Sequence, residues 1–296
     1  MSSGLRGVRL AIIGGDDREL VLIPELLKMG AYIKIIGFEK APEIAGVDTA
    51  ALLADAVCGV DVILLPMPGT DERGVVKAKY AQVPMQLTKE VLQLIPPSVP
   101  VFIGWARPAL KTAAIAFGLK LVEYNGSDEI SILNSIPSAE GAVQMAMEAT
   151  SITIHSSSSL VLGFGKSGFT LANLLHAMGA RVMVAARKDG DLARAYAMGL
   201  EAIHSVDLAQ EVGRADIIFN TIPSLILDRV VLDNVNREVV IIDIASPPGG
   251  TDFEYASFLG IKALLAPGLP GIVAPKSAGR ILAQVLPKLI LRQLVT

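Results

Sequence analysis

A short apolar run, Ser159-Leu160-Val161-Leu162, passes directly into Gly163-Phe164-Gly165-Lys166-Ser167-Gly168, and a helical pattern follows at once. Strand, glycine turn and helix in that order leave the backbone few options. The first glycine permits the tight turn, the second lets the main chain approach a pyrophosphate, and the third lets helix and strand pack closely. The pyrophosphate then rests on the unpaired N–H groups of the helix N-terminus. This segment predicts a parallel α/β fold with a dinucleotide beyond its strand. It lies past the middle of the 296 residues, so a second body of similar size precedes it.

The rest of the chain fits that frame. Hydrophobic residues make up 52% of it, yet no long uncharged apolar stretch of membrane-span length appears. Parallel strands buried on both faces explain the excess. The net charge of −3 gives no reason to expect nucleic acid. The lone cysteine, Cys58, excludes an internal disulfide and reads as a small core residue. With no signal-peptide pattern in the first ten residues, a reducing, cytoplasmic location is expected.

Strands are predicted over 8–14, 32–37, 60–65, 101–103 and 120–124, alternating with helices over 19–29, 49–58, 89–94 and 110–117. A longer helix opens at 134–141, where Pro137 and Glu140 give an N-terminal signature, and runs to about residue 153. Strands then recur at 159–163, 181–186, 201–203, 216–220, 239–244 and 262–265. The fold class is therefore α/β, with two doubly wound parallel-sheet domains and a cleft between them. Residues 1–136 form a substrate domain, with the last helix, about 277–296, packing back on it. Residues 137–276, including the linker helix, form a Rossmann dinucleotide-binding domain.

The cofactor site is drawn from Gly163, Phe164, Gly165, Lys166, Ser167 and Gly168, with residues from later strand ends. An Asp or Glu about 20 residues past the glycines holds the ribose in NAD-binding folds. Here Arg187, with Lys188 beside it, stands 19 residues after Gly168. A guanidinium suits a 2′-phosphate, so NADP (NADPH) is favoured over NAD. The plainer reading is two solvated residues at a strand end. Asn220, Thr221, Ile222 and Pro223 follow another strand and are placed to line the ribose and nicotinamide side.

The first strand ends in Gly14-Gly15-Asp16-Asp17-Arg18, which lacks a third glycine, so a second dinucleotide is not expected there. Asp17, Arg18, Arg107 and a helix start at Ser138 suggest a pocket for a small dicarboxylic acid. Trp105 fits either the pocket wall or the core. Glu140, Asp243 and Lys276 are the catalytic candidates, with Asp16 and Asp17 as further proton-transfer groups. Asp243 reads equally well as a loop hydrogen-bond acceptor. His155, His176 and His204 read as structural, and no metal-ligand cluster appears. The apolar Pro/Gly stretch 266–276 is expected to be a loop packed at the cleft.

Taken together, these segments resemble the dipicolinate synthase A-subunit family of spore-forming bacteria, over nearly the whole chain. The resemblance rests on Gly14-Gly15-Asp16-Asp17-Arg18, Pro137-Ser138-Ala139-Glu140-Gly141, the glycine motif, Asn220-Thr221-Ile222-Pro223, residues 243–250, Ala266-Pro267-Gly268-Leu269-Pro270-Gly271 and Ala274-Pro275-Lys276. That family often has Thr where this chain has Ser138, which keeps the hydroxyl. The resemblance implies NADP-dependent oxidation of dihydrodipicolinate, or its 4-hydroxy-tetrahydro form, to pyridine-2,6-dicarboxylate during sporulation. It also implies a flavoprotein-like B subunit of dipicolinate synthase as partner, a homo-oligomer and the mother-cell cytoplasm. Two alternatives stay open: another two-domain NADP oxidoreductase of the shikimate dehydrogenase kind, and a non-catalytic dinucleotide-binding subunit.

Overall fold

A computed structural model describes residues 4–295. The chain divides into two units, residues 1–131 with 275–296, and residues 132–274. In the first unit, β1 (Arg9–Ile13), α1 (Asp17–Lys28), β2 (Tyr32–Ile36), β3 (Asp48–Thr49), α2 (Leu53–Val57), β4 (Val62–Leu64), α3 (Lys89–Gln93), β5 (Val101–Ile103), α4 (Pro108–Ala116) and β6 (Leu121–Glu123) follow one another. The helix α5 (Asp128–Ala149) carries the chain into the second unit. There β7 (Ser158–Leu162), α6 (Lys166–Ala177), β8 (Arg181–Ala186), α7 (Asp189–Ala197), β9 (Glu201–His204), α8 (Leu208–Glu211), β10 (Ile217–Asn220), α9 (Arg229–Leu232), β11 (Val240–Asp243), α10 (Phe253–Phe258), β12 (Lys262–Leu265) and α11 (Leu269–Val273) succeed each other. The last helix, α12 (Pro275–Leu294), belongs to the first unit again.

Each unit holds one parallel six-stranded sheet, ordered β3-β2-β1-β4-β5-β6 and β12-β11-β10-β7-β8-β9. Both follow the doubly wound order, with the direction reversing between the unit's first strand and its fourth. The sequence explains the second sheet directly. Val161, Val184, Phe219 and Ile242 face one apolar cluster, while Leu160, Met183, Ile218 and Ile241 face the other. Such strands have no polar face, as the continuous Val/Ile/Leu runs require. In the first unit α12 lies on α1, and Gly279 permits the approach: a β-carbon there would stand 2.7 Å from the Arg18 carbonyl oxygen.

Four expectations need correction. The long helix starts at Asp128 rather than near Pro137, which lies inside it. Asp128 and Glu129 supply the acidic first turn. Pro137 strands the carbonyl four residues back, and on either side of that position the Ser135 and Ser138 hydroxyls donate to the Ile132 and Asn134 carbonyls. The helix expected over 49–58 is shorter, because Asp48 and Thr49 pair with β2 as an edge strand. Cys58 is exposed at the end of α2, not in the core. The Pro/Gly stretch folds into α11 and the start of α12 instead of a loop; Leu269 is buried, and both Leu269 and Val273 lie against Gly141.

Candidate active site

In the second unit the glycines of the opening motif have three distinct surroundings. Gly163 ends β7 with φ +87°, where a β-carbon would also stand 2.7 Å from Thr221 Oγ1. At Gly168 a β-carbon would lie 2.0 Å from the Gly163 carbonyl oxygen, so helix and turn close only on hydrogen. Around Gly165 nothing comes within 4 Å of that position. Gly165 is also the N-cap of α6, in extended conformation, and no side chain caps the helix. The turn therefore presents first-turn N–H groups to open space, which is the geometry that accepts an anion. Lys166 is exposed and Ser167 half-buried in that first turn. Phe164 is a correction: its side chain is 3% exposed in the core, 5.5 Å from the Phe169 ring, leaving only its backbone for a ligand.

At the end of β8, Arg187 and Lys188 are exposed, and Lys188 is the N-cap of α7. No ion pair engages either among the described residues. A cation thus occupies the place where an acid would hold a ribose diol.

The later strand ends behave differently from expectation. Asn220 is fully buried and folds onto its own loop: Nδ2 donates to the Ile222 carbonyl at 3.0 Å, and Oδ1 accepts from the Ile222 N–H at 3.0 Å. The Thr221 hydroxyl donates to the Leu162 carbonyl at 2.8 Å. Thr221 thus ties the end of β10 to the end of β7 beside the glycine turn, while Asn220 closes its own loop. Ile222 and Pro223 reach the surface. Asp243 is also fully buried. It accepts from the Ala245 N–H at 3.1 Å, the Gly250 N–H at 2.8 Å and the Thr251 hydroxyl at 2.8 Å. That is the arrangement of a loop anchor.

In the first unit, Asp16 caps α1 in a capping box with Glu19, whose carboxylate accepts from the Asp16 N–H at 2.7 Å. Arg18 is buried and forked onto Asp16, with Nε and one NH2 at 2.9 and 2.6 Å. Burial works against its charge, but hydrogen bonding and the charge of Asp16 outweigh it and hold the pKa up. Two of the three guanidinium nitrogens of Arg18 are therefore committed to Asp16. Burial, then the charge of Asp16, pushes the Glu19 carboxyl up to about 7.

The loop over 77–80 closes on the turn after β1, where Gly15 accepts from the Lys79 N–H and donates to the Lys77 carbonyl. This brings Lys79 Nζ to 2.6 Å from Asp17 and the Tyr80 hydroxyl onto the other Asp17 oxygen. The hydrogen bonds from Lys79 and then Tyr80 hold the Asp17 carboxyl below the usual carboxylate range. Arg107 stands at the N-cap position of α4 without a side-chain capping bond, lies over the half-exposed Trp105 ring at 4.6 Å, and reaches Glu72 at 3.1 Å. Sequence reading missed Glu72, Lys79 and Tyr80, which meet their partners only through loop closure, and Glu19, although the Asp16-x-x-Glu19 spacing of a capping box was there to be read.

Ser138 is no helix start. It lies ten residues into α5, donates to the Asn134 carbonyl at 2.8 Å, and belongs to the second unit, whereas Arg18 and Arg107 belong to the first. Glu140 is exposed on α5 and Lys276 is exposed in the first turn of α12. His155 fills the space against Gly179, and His204 Nδ1 accepts from the Val206 N–H at 3.3 Å. Among the described residues no group of three or more His, Cys, Asp or Glu is placed to hold a metal. No described helix is long and apolar enough to cross a membrane.

Similarities to known proteins follow the same division. Residues 9–125 match the family model for the N-terminal domain of the dipicolinate synthase A subunit. Residues 160–247 match that for the coenzyme F420-dependent NADP oxidoreductases. The dipicolinate synthase A subunit of Bacillus subtilis (strain 168) is 42% identical over 287 residues, covering 97% of each chain. The crystal structure of the dipicolinate synthase A subunit from Bacillus halodurans superposes with TM-score 0.93 at 43% identity, covering 97% of this chain and 98% of that one. An L-alanine dehydrogenase, at 15% identity and TM-score 0.65 over 96% of this chain and 89% of its own, shares the fold alone. Glycine turn, capping box and loop anchors thus sit in a chain matched over 97% of its length, and the chain belongs to the dipicolinate synthase A-subunit family.

Proposed function

We propose that this chain is the nicotinamide-linked oxidoreductase subunit of a dipicolinate synthase. It binds NADP in its second unit and oxidises dihydrodipicolinate, or its 4-hydroxy-tetrahydro precursor, to pyridine-2,6-dicarboxylate. One observation carries the reading. The uncapped N-terminus of α6 opens at Gly165, and Arg187 stands at the end of the adjacent strand where NAD-binding folds carry an acid. The first-turn N–H groups of α6 would hold the diphosphate, and the Arg187 guanidinium would pair with the 2′-phosphate.

A bound nicotinamide would supply the hydride acceptor for a ring carbon of the substrate. A proton leaves as the ring becomes aromatic, and from the hydroxylated precursor a water leaves first. Aromatisation makes the step downhill, so positioning supplies much of the rate. Arg107 holds one carboxylate. Asp17, fixed by Lys79 and Tyr80, shapes the polar wall of the same unit. Arg18 acts through Asp16, which it holds at the cap of α1. Glu140 and Lys276, the exposed members of the expected acid–base set, are the proposed proton-transfer groups. Ser138 is kept as a substrate contact only through its hydroxyl, and Asn220, Thr221 and Asp243 keep the cofactor loops in place. A dipicolinate synthase B subunit is the proposed partner, with assembly into a homo-oligomer in the cytoplasm of the sporulating mother cell.

The test is a direct assay. The chain, with and without the B subunit, is incubated with enzymatically generated 4-hydroxy-tetrahydrodipicolinate and either NADP or NAD, and nicotinamide reduction and dipicolinate formation are followed. Formation of dipicolinate in step with NADPH is expected. Arg187→Ala is expected to raise the KM for NADP by about tenfold, which is about 1.4 kcal/mol of binding, while leaving NAD unaffected. Equal use of both cofactors by the unaltered chain would sink the role of Arg187. Absence of turnover with either, even with the B subunit present, would favour a non-catalytic dinucleotide-binding subunit.

A further inference from the structure

The loops after β4 and β5 contain an ion pair that is incomplete in a specific way. Arg107 Nη1 lies 3.1 Å from Glu72 Oε1. Its Nε is buried and has no partner among the described residues. A guanidinium that holds a carboxylate well uses two parallel N–H···O bonds, so half of this fork is unused. The Arg107 guanidinium carbon lies over the Trp105 ring, 4.6 Å from its centre. Glu72 is the more easily displaced member of the pair, because its side chain is 74% exposed against 35% for Arg107.

The loop that presents Glu72 is well made. Asp71 Oδ1 accepts from the Arg73 and Val75 N–H groups, both at 2.9 Å, which holds Glu72 at a tip. Thr70, two residues before it, is fully buried, and its hydroxyl also has no partner among the described residues. The two loops touch backbone to backbone. A β-carbon on Gly69 would lie 2.3 Å from the Trp105 carbonyl oxygen, and one on Gly104 would lie 2.1 Å from that of Met67. Two unused polar groups therefore belong to adjoining loops beyond the carboxyl ends of β4 and β5, where open α/β sheets take their ligands.

We propose that Glu72 is an internal stand-in for a ligand carboxylate: it holds Arg107 aligned on Trp105 until a carboxylate of the ligand displaces it and takes the full fork, Nε included. The inference rests on the dicarboxylate reading of the substrate given above and names the residue that sets its carboxylate affinity. No covalent bond changes; one carboxylate replaces another on the same cation. An amide or ester lacks the charge to displace Glu72, so the exchange favours ionised acids.

Trp105 is the only tryptophan in the chain, so its fluorescence reports this site without a label. Titration with pyridine-2,6-dicarboxylate is expected to change that fluorescence in the unaltered chain, and the corresponding diamide is not. An exposed one-point ion pair is weak, so removing the competitor with Glu72→Gln or Glu72→Ala should tighten dicarboxylate binding about two- to fivefold. Arg107→Ala should abolish it. Loss of binding in Arg107→Ala with unchanged or weaker binding in both Glu72 variants would overturn the stand-in role and leave the Arg107 contact intact. Undiminished binding in Arg107→Ala, or no binding in any of the four proteins, would overturn both.

Discussion

At the scale of single residues the three glycines of the turn separate packing from binding. Gly168 has a carbonyl oxygen where a β-carbon would go, whereas Gly165 faces open space. Gly168→Ala should therefore destabilise the second unit by about 1–3 kcal/mol or more, through overpacking against backbone. Gly165→Val should leave the melting temperature nearly unchanged, since its backbone is extended and allowed for any residue. It should instead weaken NADP binding by roughly tenfold, about 1.4 kcal/mol. Thermal denaturation beside a dinucleotide titration checks both. A Gly165→Val protein that melts early would mean the open space is needed for folding. The same contrast explains what could be read from sequence. The glycine turn is a local pattern, and each residue carries its reason within six positions. The contacts of Arg107 with Glu72 and of Asp17 with Lys79 and Tyr80 span tens of residues, so nothing in their local spacing announces them.

At the scale of elements, α1 carries a titratable device in its first turn. The Glu19 carboxyl, pushed up to about 7 by burial and by Asp16, is protonated in the folded chain over a range where the unfolded chain is ionised. Its contribution is therefore fully present below about 4.5 and is lost as the pH rises through about 7. Glu19→Gln keeps an acceptor for the Asp16 N–H and cannot ionise. The stability of the unaltered chain relative to this variant should thus fall by roughly 3 kcal/mol between pH 4.5 and 7.5. Denaturant melts of both proteins across that range test it, and parallel curves would exclude the effect. Elements differ in how plainly the sequence announced them. The buried strands were legible as apolar runs closed by glycine, and Val101–Ile103 falls where the pattern placed it. The two-residue β3 is too short to show alternation. The start of α5 was hidden because Pro137 mimics a helix N-terminus, while flanking serine hydroxyls let the helix run through it.

At the scale of the whole molecule, the chain builds the same strand order twice and then returns to the first unit with α12. That helix buries Ala278, Gly279, Leu282, Val285, Leu286 and Ile290, while α1 buries Leu22, Ile23 and Leu26. Gly279→Val would drive a side chain into the backbone of α1 and should destabilise the first unit by about 1–3 kcal/mol. Hydrogen exchange should then rise in α1, β1 and β2 while the strands of the second unit keep their protection. Uniform loss across both sheets would show instead that the two units unfold together.

The return of α12 also bears on how the protein is made. The first unit is built from two stretches of chain, and the second is an uninterrupted block between them. Chains usually fold in the order they leave the ribosome, at about 5–20 residues per second. Here the earlier-made sheet must wait for α12, so the later-made unit is the first that can finish. The apolar side of α1 stays uncovered in the interval, for about ten seconds or more at that rate. That face is where a nascent-chain chaperone would be expected to bind.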